Sequence, residues 1–157
     1  MQPDVATAQS DPKKVLLVGS PNVGKSVFFG LLTGKYVVVS NYPGTTVEIA
    51  KGRGSIRGRD VEIIDPPGAN SLSPNSEDEK VARDVVLLPV DKAVVQVGDA
   101  KNLRRALFIT AQLAEYEIPS VLVLNMWDEA QDRELDIDFG AVRKAVGVPV
   151  TATVATE

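Results

Sequence analysis

The feature that most constrains this chain is a glycine loop between an apolar run and a helix-like segment. The apolar run is Val15–Val18, the loop reads Gly-x-x-x-x-Gly-Lys-Ser from Gly19 to Ser26, and apolar residues continue to Leu32. Strand, glycine loop and helix in this order are the context that a phosphate-binding loop requires. The alternative is a plain glycine turn, which is disfavoured because the whole pattern rarely arises by chance in a chain of average composition. The sequence therefore predicts a nucleoside-triphosphate site.

Phosphate chemistry accounts for the residue types in this loop. Gly19 and Gly24 let the backbone curl so that successive N–H groups face the phosphate oxygens. The helix that begins near Lys25 adds the positive end of its dipole. The Lys25 ammonium can reach the β and γ phosphates, and the Ser26 hydroxyl can ligate Mg²⁺. The residues that we expect around the nucleotide are Gly19, Ser20, Pro21, Asn22, Val23, Gly24, Lys25, Ser26 and Val27.

Composition excludes several classes of function. The chain has 157 residues, a net charge of −4 and 24% charged residues, which suits one soluble globular domain. An acidic chain argues against a nucleic-acid partner. Because there is no cysteine and no histidine, a metal must be held by oxygen, which suits Mg²⁺ or an alkali cation. No stretch is apolar enough to span a membrane and none has the pattern of a secretory signal, so we expect a cytoplasmic chain.

Strand-like and helix-like patterns alternate along the chain after a polar, proline-marked segment at residues 1–12, which predicts a disordered leader. Residues 13–157 then form one domain. Residues 36–46 mix apolar and turn residues without a period, which predicts a mobile loop that orders on a ligand. A hairpin follows, with strands at 47–55 and 60–65. Further helices are predicted at 77–88, 102–116 and 138–146, and further strands at 93–97, at 120–124 and from 148. This order predicts an α/β fold: a doubly wound, mostly parallel six-stranded sheet with one antiparallel strand and helices on both faces.

Two downstream segments can complete the phosphate site. Asp65, in an Asp-Pro-Pro-Gly sequence at a strand end, can hold the Mg²⁺ shell through water, and the Gly68 N–H can bind the γ-phosphate. Thr45 and Thr46 can supply a second hydroxyl for Mg²⁺ and backbone contacts to the γ-phosphate. The alternatives are an ordinary turn for the first segment and two threonines that simply open a strand for the second.

A third segment predicts which base is bound. Asn125, Met126, Trp127 and Asp128 follow a buried strand, where loops of such sheets meet the nucleotide. The Asp128 carboxylate can accept hydrogen bonds from both N1–H and the N2 amino group of guanine. Adenine offers no such pair of donors and would leave the carboxylate unpaired. The alternative is a helix N-cap at Asp128; on the first interpretation the ligand is GTP or GDP.

Five stretches between Lys14 and Thr156 carry a family resemblance. They are Gly19-x-Pro21-Asn22-x-Gly24-Lys25-Ser26, residues 40–48, residues 71–83, residues 99–105 and residues 125–130. On these residues the chain resembles the N-terminal cytosolic G domain of the bacterial ferrous-iron transport protein B (FeoB) family, within the Era-type, Ras-like GTPases.

The resemblance implies GTP hydrolysis coupled to ferrous iron uptake by a membrane domain, at the cytoplasmic face of the bacterial inner membrane. It implies that Thr46 is the switch-one threonine, that Asp65 and Gly68 are the switch-two pair, and that Asn22 helps to hold K⁺ beside the phosphates. The last guanine motif would be Val154, Ala155 and Thr156.

The resemblance also implies partners for the domain. The chain ends at Glu157, so we expect a fragment without the final G-domain helix, the helical spacer and the membrane domain of the family. Without that helix, an apolar face of the sheet would be exposed, which predicts self-association or domain swapping.

Several positions depart from the family pattern and bear on catalysis. Ser20, Gly30 and Pro66 replace residues that are commoner in the family, and the two prolines that begin at Pro66 remove two N–H donors from switch two. Met126 replaces the lysine of the general GTPase motif, as is common within the family. Ala69 stands where Ras-like enzymes use a glutamine to orient water, so we expect slow turnover with water positioned by switch-one backbone groups or by a partner. The predicted catalytic residues are Lys25, Asn22, Thr46 and Gly68. Two alternatives remain: an Era-like GTPase of RNA modification or ribosome assembly, and a nucleotide-gated switch with negligible hydrolysis.

Overall fold

A computed structural model describes residues 13–34 and 36–156, so the predicted leader at residues 1–12 lies outside the described residues. Within them, seven strands form one sheet in the order β2-β3-β4-β1-β5-β6-β7. The strands are β1 Lys14–Val18, β2 Val37–Asn41, β3 Glu48–Ile56, β4 Arg59–Asp65, β5 Lys92–Asp99, β6 Ser120–Asn125 and β7 Val150–Ala152. Strand β3 runs antiparallel to both of its neighbours, and the remaining pairs are parallel. The predicted α/β sheet with one antiparallel strand is confirmed.

Helices cover both faces of this sheet. They are α1 Lys25–Leu32, α2 Glu77–Val86, α3 Leu103–Glu115, α4 Trp127–Asp132 and α5 Phe139–Val146, with a 3₁₀ turn at Ala100–Asn102. In the part of the chain that the structure describes, no helix is both long and apolar enough to cross a bilayer.

The alternation of side chains along β1 explains why both faces are covered. Leu16 and Val18 pack with residues of α2 and α3 on one face, whereas Val15 and Leu17 pack with Phe29 of α1 on the other. Burying each such aliphatic side chain stabilises the fold by about 1.5–3 kcal/mol. Strand β1 is therefore fixed from both sides, and the loop that leaves its carboxyl end starts from a rigid point.

Strand β2 corrects the prediction of a mobile loop at residues 36–46. Residues Val37–Asn41 pair with β3 at the edge of the sheet, with Val39 opposite Ala50. Three successive valines favour an extended backbone. Sequence periodicity missed the strand because all five of its residues are exposed, so no face had to be apolar. A seventh strand thus joins the six that were predicted.

Candidate functional site

The glycine loop packs tightly against the ends of two strands. Gly24 has φ +91°, and a Cβ placed on it would lie 2.3 Å from the Asn125 Nδ2 atom. A Cβ on Gly19 would lie 2.3 Å from the Val97 carbonyl oxygen. Both positions therefore require glycine. Because the N-cap residue of α1 is Gly24, no side chain caps the first turn of this helix, and its N–H groups remain available to an anion.

Lys25 projects from the start of α1 into a nearly closed environment. Only 8% of the residue is exposed. Its ammonium donates to the Asp65 carboxylate and to the Pro66 carbonyl oxygen at 2.5 Å. The side chains of Lys25 and Asp65 are 9% and 11% exposed, so the ion pair is largely shielded from water. The structure thus brings together the basic residue of the loop and the acidic residue predicted for switch two.

Two adjoining cavities follow the loop. The first has about 380 Å³ and is lined by Ser20, Pro21, Asn22, Gly24, Lys25, Ser26, Val27 and Gly68. The second has about 620 Å³, and its lining includes Lys25, Ser26, Thr46, Asp65 and Gly68. Residues predicted from three separate segments therefore line the second cavity together, and its volume has room for a phosphate chain.

Oxygen atoms predominate among the possible metal ligands of the second cavity. The hydroxyls of Ser26 and Thr46 and the carboxylate of Asp65 line it together. Across the described ranges there is no group of three or more His, Cys, Asp or Glu residues that could hold a metal ion. This donor set fits Mg²⁺, which keeps several waters and takes further ligands from substrate phosphates rather than from an all-protein cage.

The two adjacent threonines have different surroundings. The Thr45 hydroxyl donates to the Tyr42 carbonyl oxygen at 2.9 Å and accepts from the Val47 N–H at 3.1 Å, so it closes the turn between β2 and β3. Thr46 is exposed and lines the second cavity. Of the two hydroxyls, that of Thr46 is the one placed to meet a metal ion.

The segment after β4 lies directly on the glycine loop. A Cβ on Gly68 would lie 2.8 Å from the Pro21 nitrogen, and the Ala69 N–H donates to the Gly19 carbonyl oxygen at 2.9 Å. The following residues are held by α3, because the Gln112 side chain accepts from the Leu72 N–H at 2.8 Å. Sequence reasoning missed Gln112; its only signal was a polar residue near the apolar face of a predicted helix.

Asn125 links the glycine loop to the last predicted motif. Its side chain is 1% exposed, and Nδ2 donates to the Val23 carbonyl oxygen at 3.0 Å. Its Oδ1 accepts from the Thr153 hydroxyl at 3.1 Å and from the Ala155 N–H at 2.9 Å. One buried amide at the end of β6 thus links the glycine loop to residues 153–155. Thr156 lies beyond them, beside Ser26 and Val27 in a small cavity of about 300 Å³, while Val154 is 49% exposed.

Asp128 lies in the first turn of helix α4 and is exposed. The N-cap position of this helix is occupied by Met126, with φ 59° and ψ 37°. The alternative interpretation of Asp128 as a helix N-cap is therefore wrong. An exposed carboxylate at this edge of the sheet remains available to a ligand.

Comparison with known proteins identifies the family. The family model described as "Ferrous iron transport protein B" matches residues 13–157. The chain belongs to the FeoB family. The Fe(2+) transporter FeoB of Salmonella typhimurium is 38% identical over 144 residues, which are 89% of this chain and 19% of that protein. FeoB of Escherichia coli K12 matches with the same identity and coverage. This chain therefore spans about a fifth of the length of these FeoB proteins.

Solved FeoB structures identify the part of the protein. The G domain of T. maritima FeoB superposes with a TM-score of 0.81 at 38% identity, covering 90% of this chain and 87% of that one. The cytosolic domain of L. pneumophila FeoB gives 0.84 at 36% identity, over 90% and 62% of the two chains. A GDP form of the T. maritima FeoB cytosolic domain gives 0.84 at 38% identity, over 90% and 56%. The resemblance to the FeoB G domain is confirmed.

Proposed function

We propose that this G domain binds GTP and GDP, hydrolyses GTP slowly with stimulation by K⁺, and so regulates or drives ferrous iron uptake through a membrane domain. The observation that carries the proposal is the meeting of Lys25, Ser26, Thr46, Asp65 and Gly68 around one cavity. A FeoB relative in a GDP form supports the choice of nucleotide. Residues 13–157 would be the catalytic unit, residues 1–12 a leader, and a helical spacer with the membrane domain its partners at the cytoplasmic face of the inner membrane.

Catalysis would depend on positioning and charge stabilisation, because phosphoryl transfer needs little covalent help from the protein. Water attacks the γ-phosphorus in line with the bond to the leaving GDP. The Lys25 ammonium offsets negative charge that develops on the bridging oxygen, and the Gly68 N–H binds the γ-phosphate. Mg²⁺, held by Ser26, Thr46 and Asp65 when bound, would neutralise the β and γ phosphate oxygens.

The group that positions the attacking water sets the rate. Ala69 is 2% exposed and carries only a methyl group, so its side chain cannot orient water. The chain also contains no histidine. Backbone groups around Thr46 or a partner must therefore position the attacking water. The resulting slow turnover makes the domain more similar to a switch than to a metabolic enzyme. This feature also supports the second candidate, a nucleotide-gated switch with negligible hydrolysis. Phosphate release in a single turnover with K⁺ separates the two.

Fluorescent mant-GDP and mant-GTP titrations, with unlabelled competitors, test the proposal. We expect GTP and GDP to displace the probe and ATP to fail at the same concentrations, because adenine cannot satisfy the Asp128 carboxylate. Displacement by ATP as effective as that by GTP would contradict guanine specificity.

Self-association of the domain stays a prediction.

The prediction that K⁺ stimulates GTP hydrolysis rests on Asn22. It is exposed in the first cavity with φ 64°, a left-handed conformation that holds it at the rim of the loop. We expect GTP hydrolysis to be faster in K⁺ than in Na⁺ at equal ionic strength, and Asn22→Ala to remove the difference while GDP still binds. Phosphate release measures both rates. Gln131→Ala, which removes an exposed amide near the end of α4, is the matched control. Equal wild-type rates in the two salts would refute the role of Asn22.

A further inference from the structure

Lys101 has no role in the site described above, yet it contacts residues on either side of Asp128 at the start of helix α4. It lies in the 3₁₀ turn after β5, and its side chain is 12% exposed. The ammonium lies 2.8 Å from the Glu129 Oε2 atom and 3.1 Å from the Asp99 Oδ1 atom. It also lies 3.3 Å from the Met126 Sδ atom. Met126 and Glu129 flank the proposed base-binding residue in sequence, so one partly buried cation contacts residues on both sides of it.

The charge of Lys101 is secure at physiological pH. Partial burial works against the ammonium, but the hydrogen bonds with Glu129 and Asp99 outweigh it, and the pKa of Lys101 lies above its ordinary value. Asp99 is itself fixed, because its Oδ1 accepts from the Lys101 backbone N–H at 2.9 Å. The cation is thus anchored to the end of β5, the strand that pairs with β6 up to Asn125.

The backbone at Met126 shows why such a support is needed. Its left-handed conformation, φ 59° and ψ 37°, is sterically unfavourable for a residue with a Cβ and persists only where surrounding contacts impose it. On one side the loop is held by the Trp127 N–H, which donates to the Thr153 carbonyl oxygen at 3.1 Å. On the other side, the contact with the Met126 sulfur comes from Lys101.

The pairing with Glu129 has a second effect. Glu129 is the carboxylate next to Asp128, and its side chain is 51% exposed. With Glu129 drawn to Lys101, Asp128 is left as the free carboxylate in the first turn of α4. A carboxylate can accept two hydrogen bonds from one planar base only when its position and orientation are fixed.

We propose that Lys101 is a positioning residue for guanine recognition, which holds Met126 and Glu129 so that the Asp128 carboxylate meets N1–H and the N2 amino group of the base. The inference rests on the proposed function, since it assumes that Asp128 binds guanine.

Inosine diphosphate (IDP) provides the test, because it lacks the N2 amino group. Competition against mant-GDP gives the affinities of the purified domain for GDP and IDP. In Lys101→Met we expect the affinity for GDP to fall about tenfold and that for IDP to fall less, so that the GDP-to-IDP ratio moves toward one. Lys101→Arg, which keeps the charge, should restore the ratio, and the control Lys144→Met, at an exposed position of α5, should leave it unchanged. If Lys101 served only general stability, the affinities for GDP and IDP would fall equally. An unchanged GDP-to-IDP affinity ratio in Lys101→Met would therefore overturn the inference.

Glu129→Gln keeps the inference testable if Lys101→Met does not fold. We expect a smaller decrease of the same ratio, because Lys101 loses one of its two anionic partners. In the double variant Lys101→Met/Glu129→Gln, the decrease of the GDP-to-IDP affinity ratio should not exceed that in Lys101→Met alone, because both changes disrupt the same contact. Fully additive effects would overturn the inference. If the wild-type protein binds GDP, IDP and ADP with equal affinity, both the proposed function and the role of Lys101 are overturned. If the wild-type preference for GDP over IDP persists in every variant, only the role of Lys101 is overturned.

Discussion

Lys25→Ala is expected to lower the affinity for GTP by about 100-fold or more, to the point where mant-GTP no longer binds at micromolar protein. Two effects combine. The variant loses the ammonium that we propose to contact the phosphates. It also leaves the Asp65 carboxylate, whose side chain is 11% exposed, without its partner and thus as an unpaired negative charge beside the phosphate site. Truncating one member of a buried, hydrogen-bonded charge pair costs about 2–5 kcal/mol.

Controls separate lost binding from lost folding in this variant. Lys144→Ala removes an exposed lysine of α5 and should bind mant-GTP normally. The double variant Lys25→Ala/Asp65→Asn removes the unpaired carboxylate, so its thermal midpoint should recover toward the wild type while GTP binding does not. Retained GTP binding in Lys25→Ala would contradict the assignment of the phosphate site.

Asp128→Asn is expected to change the preferred base from guanine to xanthine. On the proposed function, the carboxylate accepts from two donors of guanine. An amide offers one donor and one acceptor instead, which match the C2 carbonyl and N1–H of xanthine. Loss of a hydrogen bond to a charged group predicts a decrease of about ten- to hundredfold in GTP affinity. Competition of GTP and xanthosine triphosphate against mant-GDP measures the change. Asp132→Asn, at the exposed end of the same helix, is the matched control, and unaltered GTP affinity in Asp128→Asn would refute the assignment of the base.

The order of strands and helices was predictable because local physics determines it. Buried strands such as β1 and β6 are continuous apolar runs, and the hairpin turn at Arg57 and Gly58 takes positive φ values of 52° and 77° at a position that the sequence marks with glycine. Strand β2 could not be found in this way, because a strand exposed on both faces carries no pattern of burial. Its pairing with β3 is a tertiary property.

The candidate site was predictable in its parts and not in its contacts. The glycine loop, Asp65 and Asp128 follow from residue types at the ends of strands. The ion pair between Lys25 and Asp65 and the assignment of the Thr45 hydroxyl to a turn depend on which distant segments meet. The same is true of Gln112, whose partners lie in the segment after β4, and of Lys101. Spacing along the sequence does not contain this information.

The exposure of β2 on both faces also determines how the domain can open. Little apolar burial holds this strand, because Val37, Val38 and Val39 are each at least 43% exposed. Its attachment therefore depends largely on the hydrogen bonds of a short ladder that ends at Asn41 and Glu48, each worth about 0.5–1.5 kcal/mol net. Local unfolding begins where burial is least. The ladder ends just before the turn that bears Thr46, so detachment of the edge strand would let this turn move without disturbing β1 or the glycine loop. A largely exposed edge strand is thus joined directly to the turn that, on the proposed function, responds to the γ-phosphate.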